Sequence, residues 1–150
     1  MHLTAVLDEA IELEEKICSC YELLSKATED GASAELKELA REEKSHANVL
    51  KTGRVFVIRT PDLFGRETIS LSRIRQGLKF ITALEDNLKN RKTGFREGLA
   101  RLHRLEKKFE RVHMNLAVEF KDYSLKKLFE ALARADAEHR QRLERLIARL

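Results

Sequence analysis

Apolar residues recur at intervals of three and four along most of this 150-residue chain, and this spacing requires long helices. One turn of an α-helix holds about 3.6 residues, so side chains at this spacing form one stripe that must be buried. The sequence contains a single proline, and few positions would therefore interrupt the helices. We predict helices over residues 4–27, 34–51, 67–90, 95–120 and 125–150.

The predicted helix ends depend on short polar turns. Gly31 is expected to stop the first helix, and Ser33 and Ser124 are expected to cap the second and the last helix. Gly53 interrupts the apolar pattern, and the apolar run 55–58 is interpreted as an extended connection. The expected fold class is all-α, an antiparallel four-helix bundle with an additional helix in the long connection. One domain would span residues 1–150, with hairpins at 3–51 and 96–150 and the connection at 52–95.

Composition narrows the function classes. Hydrophobic residues make up 43% and charged residues 36% of the chain, which fits neither a disordered segment nor a membrane span. The N-terminus lacks the basic region expected of a secretory signal. Cys18 and Cys20, two residues apart on one helix, point in different directions and are poorly placed to pair. We therefore expect a reduced, cytoplasmic setting, with packing as the role of both cysteines and redox sensing as the lesser alternative.

The segment 89–111 is rich in basic residues, which contribute much of the net charge of +4. Such a segment could attract nucleic acid, but a solvated helix face is the simpler interpretation. No aromatic residues are interleaved in a base-stacking pattern. Neither a nucleic-acid partner nor a membrane partner is therefore expected.

Six acidic or imidazole side chains interrupt the apolar stripes: Glu14, Glu43, His46, Glu106, Asp136 and His139. Two of the carboxylates each precede an imidazole by three residues, a spacing that places both side chains on one helix face. A buried ionised carboxylate without a partner costs several kcal/mol, and four close together repel one another. Two divalent metal ions would neutralise the four carboxylates. Oxygen ligands with a few nitrogen donors suit iron or manganese.

The two hairpins repeat this pattern. The single Glu of the first hairpin precedes the imidazole of the next helix by 32 residues, and the single Glu of the second precedes its imidazole by 33. A ring-bearing residue, Tyr21 or His113, follows each single Glu by seven. The halves therefore look like a diverged internal repeat.

This order of motifs resembles the rubrerythrin branch of the ferritin-like superfamily. The likeness is greatest at Glu14 with Tyr21, at the Glu-Asp-Gly turn 29–31 and at Glu-Glu-Lys-Ser-His-Ala 42–47. It covers most of both hairpins but not the connection. The resemblance implies a ferritin-like bundle with two iron ions, or manganese or zinc in their place. It also implies an oxidoreductase that acts on peroxide or dioxygen, or oxidises ferrous iron, in the defence against oxidative stress.

The resemblance also implies roles for individual residues. All six candidates would bind metal, with Glu43 and Asp136 as bridges and Tyr21 as a hydrogen-bond donor beside them. Asp136 replaces the usual Glu and is one methylene shorter, so bridging is harder. The family carries one more Glu near the third-helix ligand, and Glu110 is the candidate for that role here. His113 stays open between metal ligand, neighbour of the ligands and core histidine.

The resemblance also implies partner proteins. No paired C-x-x-C iron site of the rubredoxin type occurs in the sequence, so an external electron-donor protein such as a rubredoxin is implied, and a homodimer is expected. Two other classes remain open: a structural or partner-binding bundle with a degenerate or single-metal site, and a DNA-protective basic bundle. Glu42 and Glu138, next to the candidate ligands, are expected to point outward.

Overall fold

The structure, a computed structural model, describes residues 2–28, 31–59 and 71–150. These residues form five helices and no strand, so the all-α class is confirmed for the part of the chain described. The helices are α1 His2–Lys26, α2 Gly31–Arg59, α3 Ser72–Lys89, α4 Phe95–Glu119 and α5 Tyr123–Ala148. None of them has the length and apolar composition needed to cross a bilayer.

Two antiparallel hairpins, α1 with α2 and α4 with α5, make up most of the fold. In the first hairpin, an ion pair joins Asp8 to Arg54 at one end, and a hydrogen bond joins Ser33 to Ser25 at the other. Side-chain contacts in the second hairpin follow the same antiparallel order. Helix α3 packs mainly on α1 and to a lesser extent on α4.

The predicted apolar stripes form the core. Leu7, Leu36, Leu99 and Leu143, one from each of the four hairpin helices, have no exposed surface. Helix α3 approaches α4 closely at Gly77, where a Cβ atom would lie 2.1 Å from Cζ of Phe109. Only glycine leaves room for that ring.

Helix α2 is longer than predicted, and the extended connection expected after Gly53 is wrong over its described part. The helix continues through Gly53 and includes Val55 to Ile58. Val57 is completely buried, whereas Phe56 and Ile58 are about half exposed. A glycine inside a helix costs only about 1 kcal/mol, and burial of Val57 offsets that cost. Residues 60–70, which include the start of the predicted third helix, lie outside the described residues.

Three predicted helix ends also differ from the structure. Gly31 begins α2 instead of ending α1, and Ser33 therefore lies in the first turn, where its Oγ donates to a backbone carbonyl of α1 at 2.8 Å. Asp122, not Ser124, caps α5, because its side chain accepts the Leu125 N–H at 2.9 Å. At the start of α5, Asp122 therefore satisfies a free backbone N–H two residues before the predicted cap.

Candidate metal centre

The six predicted ligands meet in the interior, between the two hairpins. Three groups of side chains offer donor atoms that all lie within 4.8 Å of one another: Glu14, Glu43 and His46; Glu43, Glu106 and His139; and Glu14, His113 and Asp136. Glu43 belongs to two of these groups and Glu14 to two. The groups therefore form one connected cluster that contains all six predicted ligands and His113.

Most of the cluster is shielded from water. Glu43 is fully buried, Glu14, Glu106 and His139 are 1% exposed, and Asp136 is 2% exposed. The cluster approaches the surface on the side of α2, where the side chain of His46 is 22% exposed.

Hydrogen bonds leave many of these buried atoms without a partner. Nine buried side-chain oxygen and nitrogen atoms of the described residues have no hydrogen-bond partner, and seven of them belong to predicted ligands. Both carboxylate oxygens of Glu14 and of Glu43 are among the seven. Native structures rarely leave such atoms unpaired, so their concentration at one place indicates a site for a ligand.

Both imidazoles turn Nδ1 toward the carboxylates. Nδ1 of His139 lies 2.8 Å from Oε1 of Glu43 and 3.5 Å from Oε1 of Glu106. Nδ1 of His46 lies 3.7 Å from Oε2 of Glu43 and 4.0 Å from Oε2 of Glu14. Donor atoms that share one transition-metal ion, each at about 2.1 Å, are at most about 4.2 Å apart. These donor atoms are therefore close enough for neighbouring side chains to share a metal ion.

Nε2 of His139, the ring nitrogen that does not face the buried carboxylates, lies near Glu42, a residue expected at the surface. Oε2 of Glu42 lies 3.6 Å from Nε2 of His139 and 2.6 Å from Nη1 of Arg142. The side chain of Glu42 is 38% exposed, so it reaches the surface while it also contacts α5. A carboxylate behind a metal-binding histidine fixes the ring and the position of its proton. No feature of the sequence identified Glu42, because its role depends on where α5 lies.

Tyr21 reaches across from the first hairpin to the second. Its hydroxyl donates a hydrogen bond to Oε1 of Glu106 at 2.8 Å, and both side chains are buried. Burial and the nearby charge of Glu106 raise the pKa of Tyr21 well above its usual value, so the hydroxyl keeps its proton. The structure thus places Tyr21 where the family resemblance implies a hydrogen-bond donor.

Asp136 and His113 are in close polar contact. Oδ2 of Asp136 lies 2.5 Å from Nδ1 of His113, whose ring also packs against Phe109 and Phe129. Burial lowers the pKa of His113 to about 4, so its ring is neutral near pH 7. One oxygen of Asp136 is therefore engaged by His113, and the same carboxyl also interacts with Glu106.

Burial and repulsion between neighbouring carboxylates favour proton binding in this cluster when metal ions are absent. Burial, followed by the neighbouring carboxylates, raises the pKa of Glu14, Glu43 and Asp136. Burial would lower the pKa of His139, but contacts with Glu106 and Glu43 outweigh it and raise the value to about 11. Metal ions would displace these protons, as is usual when carboxylates and imidazoles bind metal.

Two further predicted positions lie outside the cluster. The side chain of Glu110 turns to Arg140, with Oε2 3.1 Å from Nε, and does not join any donor group among the described residues. Glu138 is exposed, as predicted. Cys18 and Cys20 are free; Cys20 is buried in the core, and Cys18 lies beside Glu22.

Comparisons with protein-family models, with curated proteins and with solved structures find no match to this chain. The donor set itself indicates the chemistry of the centre. It combines four carboxylates and two or three imidazoles without a thiolate, and such ligands suit iron or manganese. Carboxylates can also change their binding mode, which lets a metal ion open a position for a small reactant.

Proposed function

We propose that this chain is a ferritin-like protein of the rubrerythrin type that binds two metal ions, iron above all, between its hairpins. Helices α1, α2, α4 and α5 would be the four-helix bundle, and α3 the additional helix. The observation that carries the proposal is the buried cluster. One donor group contains Glu14 and His46, another contains Glu106 and His139, and both contain Glu43. Ferritin-like proteins use one Glu from each of two helices and a carboxylate-x-x-His pair from each of the other two.

The reaction we propose is reduction of peroxide or dioxygen, or oxidation of ferrous iron. Two iron ions, when bound, supply the electrons for this chemistry, and an external donor protein such as a rubredoxin would restore them. The side chains of the cluster would hold the ions, with Glu43 shared by two donor groups that each contain one imidazole. Because most of the cluster is buried, only small reactants can reach it, and the partly exposed His46 marks the nearest surface.

Metal content tests this proposal directly. The protein is purified without chelators, supplied with ferrous iron and measured by elemental analysis and by consumption of peroxide. We expect two iron ions per chain for the wild type and less than one for Glu43→Gln, since that substitution removes the shared carboxylate charge while keeping the shape. Glu138→Gln is the matched control, because Glu138 is exposed and precedes His139 by one residue. It should bind iron like the wild type.

Two results would contradict the proposal. A wild type that holds well under one equivalent of iron, manganese or zinc would exclude the two-metal enzyme. Equal metal content in wild type and Glu43→Gln would show that the ligands are assigned wrongly.

A single-metal site is the second candidate, and the contact between Asp136 and His113 favours it. With one oxygen held at 2.5 Å by His113, Asp136 has less freedom to bridge two ions. One equivalent of metal in the wild type, lost in Glu43→Gln, would select this candidate.

A further inference from the structure

A groove between α3 and α4 is lined by a cluster of cationic side chains. It has a volume of about 540 Å³, and its cationic lining residues are Arg73 from α3 and Arg104, Lys107, Lys108 and Arg111 from α4. No Asp or Glu is among the described residues that line it. The volume is in the usual range for small-molecule sites.

Helix geometry explains why the α4 cations converge. Residues 104, 107, 108 and 111 have the spacing i, i+3, i+4 and i+7, which places them on one face along about 10 Å of helix. Arg73 lies across the groove, and the amide side chains of Gln76 and Asn115 add hydrogen-bonding groups to the wall.

The acidic residues of this part of α4 do not neutralise the groove. Between residues 98 and 114 the only acids are Glu106 and Glu110. Glu106 is buried in the candidate metal centre on the opposite face, and Glu110 pairs with Arg140 of α5. Arg104 is 3.6 Å from Glu97, but Lys107, Lys108, Arg111 and Arg73 make no ion pair with any other described residue.

We infer that this groove binds a compact anion that carries several phosphate groups, such as inorganic tripolyphosphate or a nucleoside triphosphate. One phosphate carries a charge of at most about −2, so five converging cations exceed what a single phosphate can neutralise. Arg side chains bind phosphate oxygens in pairs, and three of the five cations are Arg. The concave shape and the short length favour a compact anion over a nucleic-acid duplex, which needs a longer, open face.

Calorimetric titration of the full chain, as purified, with tripolyphosphate at low salt tests the inference. The test variant is Lys107→Gln with Arg111→Gln, two exposed positions four residues apart on the groove. The matched control is Lys37→Gln with Arg41→Gln, an exposed Lys and Arg with the same spacing on α2. Both double variants lose the same charge, and glutamine preserves helix propensity.

We expect the test variant to bind tripolyphosphate about tenfold or more weakly than the wild type, and the control variant to bind within about twofold of it. Binding by the wild type should weaken steeply as salt rises. Any phosphate that binds to metal ions would affect both variants equally, since both keep the candidate metal centre. This experiment therefore fails or succeeds independently of the proposed function.

A parallel titration with ATP distinguishes the sources of the phosphate groups. Tighter binding of ATP than of tripolyphosphate would assign the groove to a nucleotide, and equal or weaker binding would assign it to the polyphosphate chain alone. No binding to the wild type at low salt, or equal loss in both variants, would overturn the inference. Binding of duplex DNA without binding of either polyphosphate, lost in the test variant, would also overturn it and assign the groove to nucleic acid.

Discussion

Replacing Tyr21 by phenylalanine removes one hydroxyl from the centre of the molecule and leaves the ring in place. The hydroxyl donates to Oε1 of Glu106 at 2.8 Å, and the second oxygen of Glu106 already lacks a hydrogen-bond partner. Burial tends to raise the pKa of Glu106, but His139, Asp136 and Tyr21 outweigh it and lower the value, so this carboxylate is ionised. A buried hydrogen bond to an ionised group contributes about 1.5–3 kcal/mol.

We therefore expect Tyr21→Phe to lower the free energy of unfolding of the metal-free protein by about 2 kcal/mol. For a chain of this length, that corresponds to a decrease in Tm of about 4–8 °C. Thermal unfolding followed by circular dichroism, in the presence of a chelator, measures it. Tyr123→Phe is the matched control, because the chain has two tyrosines and Tyr123 is 71% exposed. The control should unfold within about 0.5 kcal/mol of the wild type.

Metal ions should reduce the effect of Tyr21→Phe. A bound cation compensates the charge of Glu106 that the hydroxyl would otherwise stabilise, so the variant should gain more stability from ferrous or manganous ions than the wild type does. A metal-free variant as stable as the wild type would refute the reasoning about the hydrogen bond. An equal loss with and without metal would refute the link between that bond and the candidate centre.

Two further changes test the surroundings of the centre and the thiols. Glu42→Ala should weaken metal binding by about 10–100-fold, because His139 loses the carboxylate next to its Nε2. Glu138→Ala should leave metal binding unchanged. Equal affinities of the two variants in a competition titration with a coloured chelator would contradict this role of Glu42. Burial and then Glu22 raise the pKa of Cys18 to about 11, and burial raises that of Cys20 to about 12. Alkylation of the folded protein at pH 8 should therefore be about a hundredfold slower than alkylation of the unfolded chain, and its rate should increase toward pH 11. Cys18 should react faster in Glu22→Gln than in the wild type. Rates that level off near pH 9 would show that the thiols are not shielded in this way.

The helices and most of the buried centre could be predicted because one pattern determines both. A stripe with a period of 3.6 residues fixes which side chains face inward, so the sequence alone predicts that Glu14 and Glu106 are buried. Their convergence required only that the stripes of two hairpins face each other. The structure brings together all six predicted ligands for this reason.

The parts that could not be predicted depend on contacts between distant segments. Val55 to Ile58 is a β-branched and aromatic run that favours a strand locally, but it forms the end of α2, where Val57 packs into the core. Glu42 could not be distinguished from any other exposed Glu, because Arg142 and His139 meet it from α5. Glu110 is the candidate for the additional Glu that the family resemblance implies, yet its side chain pairs with Arg140 outside the cluster.

The repeat detected in the sequence has a spatial counterpart that explains why neither hairpin can build the centre alone. Tyr21, seven residues after the single Glu of the first hairpin, donates to Glu106 of the second. His113, seven residues after Glu106, shares a donor group with Glu14 of the first hairpin. Each ring thus lies next to the single carboxylate of the other half, but the rings differ. Tyr21 keeps its proton and acts here as a donor, whereas a neutral imidazole can donate or accept and can bind metal. The two sides of the cluster are therefore chemically unequal, because a tyrosine hydroxyl faces Glu106 and a neutral imidazole faces Glu14.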